Sequence, residues 1–595
     1  LLLLQQLFKE NFTNQIYEWC DAHGIEFTGH FAAEDGLVMQ LEANAGVMYQ
    51  YEGFHIPGID HLGRRFAPLP LLKQVQSVAA QTGRERRLSE TFGCSGWNLS
   101  FEAMTQIWGW QAINGLNTPC LHLSAYSLEG SRKRDYPPVF SYQTPWWEQM
   151  VHMSRWMTNV NRFFSECERK ADLLVIQPMH YLWEIYSPIS STECRRLSSE
   201  FRILTENLRG LQLDFDLGDE TLLSEIGAVA EGKLRVGRQS YSVVMVSETD
   251  RLEESTIKLL ELFIQQGGKV VFIGKIPGNA GHLQATVQMN NKTILRKFFL
   301  HIHWKFSVQL CTENNRSLVD NVHNFLGVTK DGTRRIGFYL ATEGILKQKV
   351  RMFIDGRCKV WRVDSLTDKR VLIPAVYHDD FTEVLFELNG RTLALFEAKE
   401  MESREKDKDA EIMATKLLKT EIIPLEKFDI RLLAPNSFTL DMAELYCDGI
   451  LIGNRQPLGK IRNLLKKLAE TDDKDHVIDI RFVFTSSLPS GTPLSLGLEL
   501  DSMKQVFCNG FDITREAEQN NWFVDRCIKC IPIGRFVRNG DNEIICRYIL
   551  NSGDRLHFDG EFETERNRFC PTLEPESIYL IGNFTLKAIG RISHR

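Results

Sequence analysis

The sequence contains no apolar run near the ~18 residues that a membrane-spanning helix requires, so no transmembrane segment is expected. It also lacks a concentrated basic surface. Lys and Arg number 70 against 77 Asp and Glu, for a net charge of −7. Phosphate binding needs clustered positive charge, which excludes a nucleic-acid partner. There is no GxGxxG and no GxxxxGK[ST], so no nucleotide site is expected. HExxH is missing. GxSxG is missing too, since "GCSGW" around Ser95 departs from it, and this argues against a serine nucleophile. The 13 cysteines include one CxxC pair, Cys527 and Cys530, which lies in an alternating strand pattern without the second pair a zinc site would use. Scattered thiols of this kind suit a reducing, cytoplasmic setting.

The first residues, "LLLLQQLFKENF", have no basic n-region and no cleavage site, so they do not read as a signal peptide. They read as the middle of an amphipathic helix, and an N-terminal truncation is the expectation. At 595 residues the chain has room for three to five domains. Aromatics make up 10%, with 11 Trp, and these rings can stack on sugars or fill cores.

Four zones follow from the periodicity. Residues 1–165 repeat helix, glycine stop and short strand: "YEWCDAHGIEFTGH", "FHIPGIDHL", "LLKQVQSVAAQTGRERRLSE" and "FEAMTQIWGWQAINGLNTPCLHLSAY", with Ser100 as a helix N-cap. Such units predict a parallel α/β sheet. Only about four strands are countable, half of the eight in a (β/α)8 barrel, so the zone reads as the C-terminal half of such a barrel. A complete, smaller open sheet is the alternative. Residues 166–330 hold the buried-type strands "KADLLVIQP", "YSVVMVSE" and "GGKVVFIG", which predict a flavodoxin-like doubly wound domain. Residues 331–465 alternate as short strands and predict a β-sandwich, with a charged linker-like run, "AKEMESREKDKDAE", after the strands up to "TEVLFELNGRTLALFEA". Residues 466–595 predict a second sandwich, with a hairpin at Asn509–Gly510.

The polar residues His30, Asp60, Glu90, His122 and Tyr126 fall at or near the ends of successive strands. In a (β/α)8 barrel that end is the catalytic face. Glu90, in "RLSETFGCSGWN", is the candidate catalytic carboxylate, with Phe92 and Trp97 placed to desolvate it. Glycoside hydrolysis uses two such carboxylates. A solvated strand-end Glu is the plainer reading. Glu34, Asp35 and Asp60 compete for the second carboxylate or for structural roles. His30, Asp60, Trp97, His122, Tyr126 and Trp147 are candidate substrate contacts. Trp146 and Trp147 form either a stacking platform or the apolar anchor of the next helix. The basic "SRKRDYPP" offers Arg to a substrate or to a salt bridge with Asp135.

Taken in order, "EFTGH", "IPGID", "LSETFGCSGWNLSFE" and "LHLSAYSLEGSRKRDYPP" resemble the barrel of glycoside hydrolase family 106, the α-L-rhamnosidase-like enzymes. "DFDLGDE", "KLRVGRQSYSVVMVSE" and "GGKVVFIG" resemble the α/β domain that follows it. "VFCNGFDIT", "GDNEIICRY" and "IYLIGNFTL" resemble its terminal galactose-binding-like sandwich. The resemblance implies a glycosidase acting on an oligosaccharide or glycoside by an inverting mechanism with two Glu residues, and a calcium ion. One of those carboxylates maps onto Glu90; the resemblance implies a barrel that begins upstream of Leu1, with room there for the partner, whose identity stays open. A non-catalytic carbohydrate-binding or scaffold protein, or an inactive glycosidase fragment, is the alternative. Oligomeric state is not legible.

Overall fold

Glycines and caps punctuate the first zone where the sequence places them. The helix Leu69–Thr82 stops at Gly83, whose φ of +78° is the left-handed C-terminal cap that glycine accepts without strain. The helix Phe101–Ile113 starts at Ser100, whose hydroxyl accepts from the Ala103 amide at 3.2 Å. Around these helices the chain forms four strands: β1 (Thr28–Gly29), β2 (Ile56–His61), β3 (Leu88–Thr91) and β4 (Thr118–Leu121). They pair in parallel in the order β1-β2-β3-β4. One face of this sheet packs on the helices, and Ile59, Ser89 and Thr91 are fully buried there. The opposite face carries Asp60, Glu90 and Cys120, all at least partly accessible.

The computed structural model describes residues 1–283, 286–289, 307–314, 317–342, 347–401, 434–471, 474–517, 521–551, 573 and 575–587. The charged run beyond Met401 lies outside them. The chain divides into two compact units. One comprises residues 1–122 and 148–420, and the other residues 123–147 and 421–595.

In the first unit, five parallel strands form a second sheet whose outer-to-outer order is Thr286–Met289, Lys269–Ile273, Val243–Val246, Leu173–Ile176, Asp216–Gly218. Read in chain order this is 2-1-3-4-5, the flavodoxin-like arrangement. The strand Asp216–Gly218 and an antiparallel meander, Gly227–Ala230, Lys233–Val236 and Gln239–Tyr241, escape a period-based reading because each is only three or four residues long. A buried ion network joins this sheet to the first. Lys73 on the helix before β3 and Arg169 both pair with Asp214, and Arg169 also pairs with Asp216. The Tyr241 hydroxyl donates to Asp216 at 3.0 Å. Unpairing any one of these charges would leave another buried and uncompensated.

A β-sandwich completes the unit. Its two sheets, of four and six strands, share the core of Val350, Met352, Phe338 and Phe396. It begins at Val308, earlier than residue 331, and it recruits Glu168–Arg169, which pair with Val328 and Gly327. In the second unit, strands from Asn436 onward form another sandwich. Asn436–Leu440 pairs with Ile578–Gly582, so this domain starts well before residue 466. The boundary at 330 falls in the hairpin turn between Val322–Val328 and Arg334–Leu340, and that at 465 inside the helix Leu458–Thr471, because pairing partners far apart in the chain, not composition shifts, define each sandwich. The Asn509–Gly510 hairpin forms with positive φ at both residues.

Candidate functional site

Strand register builds the site. Asp60 on β2 lies opposite Glu90 on β3, which lies opposite Cys120 on β4. Because side chains alternate along a strand, these three share one face. His30 follows β1 directly, and His122 follows β4, its amide donating to the Thr91 carbonyl at 3.0 Å. Four of the residues picked from sequence therefore converge: His30, Asp60, Glu90 and His122.

His30 Nε2 lies 2.6 Å from Glu90 Oε2, and His122 Nε2 lies 3.8 Å from Glu90 Oε1. The other nitrogen of His30 faces the Phe31 carbonyl at 3.4 Å. Both ring nitrogens of His30 thus face oxygen atoms. Burial pulls its pKa down, but Glu34, the Glu90 bond and Asp60 outweigh that, and the net shift is upward. Asp60 moves upward as well, chiefly through burial and with the repulsion of Glu90 added, while His30 and His122 oppose the rise. Its Oδ1 is buried without a hydrogen-bond partner among the described residues.

Glu34 holds this cluster from below. One oxygen accepts from the Phe31 amide at 2.8 Å and from the Tyr51 hydroxyl at 2.7 Å, and the other accepts from the Asp60 amide at 3.0 Å. Glu34 thus clamps the backbone just after His30 to the backbone at Asp60. Burial pushes its pKa up to about 7 against those three donors. Sequence reading set Glu34 among several competing carboxylates. Its distinguishing partner, Tyr51, sits 17 residues away with no pattern linking the two.

The loop after Glu90 is strained. Phe92 and Cys94 both adopt positive φ, 74° and 58°. Non-glycine residues in that region cost on the order of 1–3 kcal/mol each and gather at functional sites. Gly93 between them permits the close packing of His122, because a Cβ there would lie 2.9 Å from the imidazole Cγ and Nδ1. Phe92 is fully buried and Trp97 is 39% exposed.

Tyr126 and Trp147 do not belong to this unit. β4 ends at Leu121, not at Tyr126, and the chain from Leu123 to Trp147 joins the second unit. There Phe140 donates its amide to the Leu123 carbonyl at 2.8 Å and Gln143 bonds the Ala125 carbonyl, bonds that replace strand pairing. Tyr126 is fully exposed, and Trp146 packs edge-on against Phe140, as an apolar anchor does. The basic "SRKRD" segment also reads differently in the structure. Lys133 and Arg134 pair with Glu576 at 2.7 Å, not with Asp135, and Lys133 also pairs with Glu499.

His30, Asp60 and Glu90 place donor atoms within 4.8 Å of one another. That set does not fit calcium, which takes six to eight oxygens. It supplies one imidazole nitrogen and two carboxylates, and the nitrogen is engaged with Glu90. The arrangement suits proton handling: an accessible carboxylate held by an imidazole. Asp60 and Glu90 bring a carboxylate oxygen each to within 4.8 Å of the other on this face.

No protein-family model matches the chain, and comparison with curated proteins gives no match. Among solved structures, a rhamnosidase from Novosphingobium sp. PP1Y superposes with a TM-score of 0.52 at 14% identity, over 97% of this chain and 55% of that one. The chain thus spans about half the length of that rhamnosidase and shares its fold. An exo-carrageenase GH42 from Bacteroides ovatus gives 0.41 at 12% identity, over 60% of this chain and 50% of that one. An alpha-L-fucosidase from Paenibacillus thiaminolyticus gives 0.37 at 8%, over 62% and 81%. Scores this low carry no fold inference. No helix among the described residues is long and apolar enough to cross a membrane.

Proposed function

We propose that the chain carries part of the catalytic site of an α-L-rhamnosidase-like glycosidase, with Glu90 as a catalytic carboxylate. The observation that carries this reading is the Glu90 carboxylate itself, at the C-terminal end of a parallel strand, accessible on the open sheet face and held at 2.6 Å by His30. In this reading β1–β4 form half of a (β/α)8 barrel, and the terminal sandwich is the galactose-binding-like module. The fold shared with a rhamnosidase and the family 106-like motifs support it.

His30 orients Glu90 at 2.6 Å, and an oriented carboxylate on the open sheet face suits a general base that draws a proton from an attacking water. Asp60 and His122 flank Glu90 on the same sheet face and would bind sugar hydroxyls. Glu34 positions both His30 and Asp60.

The test is Glu90→Gln in the full-length protein, assayed on aryl α-L-rhamnosides and related glycosides. We expect kcat/KM to fall about 10²–10⁴-fold. Turnover near the parent level on a good substrate would overturn the assignment. A second reading, carbohydrate binding without hydrolysis, is favoured by the two β-sandwich modules that follow the α/β sheets along the chain. Glycan-array binding by a protein that cleaves none of these glycosides would support it.

A further inference from the structure

Strand alternation and one hairpin turn bring a thiol, a carboxylate and an imidazole together in the second unit, apart from the Glu90 cluster. The strand Met442–Cys447 buries Ala443, Leu445 and Cys447. The strand His476–Ser486 buries Ile478 and Ile480. Cys447 pairs with Ile478, and His476 lies two residues before it, so both face the core side at one end of the sandwich. Asp448 follows in the turn, with a positive φ of 49°. It is locked to the second strand in both directions: its amide donates to the Val477 carbonyl at 2.8 Å, and its Oδ1 accepts from the Val477 amide at 2.9 Å.

That lock aims Oδ2 at the other two groups. It stands 2.7 Å from His476 Nδ1 and 3.8 Å from Cys447 Sγ. All three donor atoms lie within 4.8 Å of one another. The His476 side chain is 10% exposed and that of Asp448 51%, so the imidazole is held in place while one side opens to solvent.

We propose that Cys447, Asp448 and His476 form a binding site for a divalent transition metal of the zinc class, with water in the fourth position. A thiolate with an imidazole and one carboxylate is the donor set such ions take, and it disfavours calcium and magnesium, which want oxygen. On binding, the Cys447 S–H proton leaves to solvent as the metal–sulfur bond forms. His476 moves its remaining proton to Nε2 and ligates through Nδ1. The Nδ1–Oδ2 contact opens to roughly 3.3 Å, the separation of two light ligands on a tetrahedral ion with ~2.0 Å bonds.

Cobalt(II) is the probe, because thiolate ligation produces an intense near-ultraviolet charge-transfer band that oxygen and nitrogen ligands do not. The whole chain is stripped with chelator and titrated with cobalt chloride. We expect the band to saturate at one equivalent, to vanish in Cys447→Ser and to persist in Cys20→Ser. Asp448→Asn and His476→Ala should weaken binding at least tenfold. These last two substitutions keep the proposal testable if Cys447→Ser, whose site borders the core, fails to fold. Cobalt bound without the thiolate band, a band that survives Cys447→Ser, or unchanged affinity in both Asp448→Asn and His476→Ala overturns it.

Discussion

Glu34 is sealed from water, at 4% exposed, yet accepts from three donors, and the two effects oppose each other. Burial wins, and its pKa rises to about 7 from an ordinary 4.5. A raised folded-state pKa means the folded state binds the proton more tightly than the unfolded chain. The associated stability is therefore fully present below about pH 4.5 and is lost as pH rises through about 7. Thermal melts at pH 5 and pH 8 should show that fall in the parent protein and not in Glu34→Gln. Equal slopes would refute it. At this scale the sequence disclosed His30, Asp60, Glu90 and His122, because a polar side chain at a strand end is a local pattern. It did not single out Glu34, whose role comes from Tyr51 and two backbone amides brought in by folding.

At the scale of elements, the close approach of β1 to β2 depends on a missing side chain. A Cβ on Gly58 would lie 2.9 Å from the Gly29 carbonyl oxygen and 3.1 Å from Leu88 Cδ2. The oxygen belongs to backbone and cannot swing aside. Gly58→Ala should cost about 1–3 kcal/mol, read as a lowered denaturation midpoint. Gly36→Ala is the control, since nothing lies within 4 Å of a Cβ there, and it should change stability by less than about 0.5 kcal/mol. A Gly58→Ala protein as stable as Gly36→Ala would refute the packing argument. The helices and strands of this zone were legible: glycine stops, the Ser100 cap and period-3.6 faces are encoded within a few residues. β4 was misjudged in length, because the residues after Leu121 take their hydrogen bonds from Phe140 and Gln143, which no local period reveals.

At the scale of the molecule, the chain leaves its first unit at Leu123 and returns after Trp147. Within the second unit, this excursion is held by buried acids. Glu576, 4% exposed, meets Lys133 and Arg134 at 2.7 Å and Arg462 at 3.2 Å. Asp525 accepts from the Leu128 amide at 3.2 Å and from Gln143 at 3.1 Å. Removing one side of a buried ion cluster costs ~3–5 kcal/mol, because the opposite charges stay buried. Glu576→Ala should lower the melting temperature and open residues 123–147 to limited proteolysis. Glu129→Ala, which removes only an exposed pair with Arg132, should do neither. Matching digestion patterns for the two variants would refute the anchoring role.

The sequence by itself determined the alternation of short strands and helices, the glycine and serine boundaries, the strand-end placement of Glu90 and its neighbours, and the β-rich character of the later chain. These depend on periodicity and turn chemistry, which act over a few residues. Only the tertiary structure decided which strands pair, such as Asn436–Leu440 with Ile578–Gly582, and where the Leu123–Trp147 excursion is anchored. It also decided that Glu34 clamps the Glu90 cluster and that Cys447, Asp448 and His476 meet. Those outcomes follow from burying apolar faces and compensating buried charge between residues tens to hundreds of positions apart, and no local pattern carries that information.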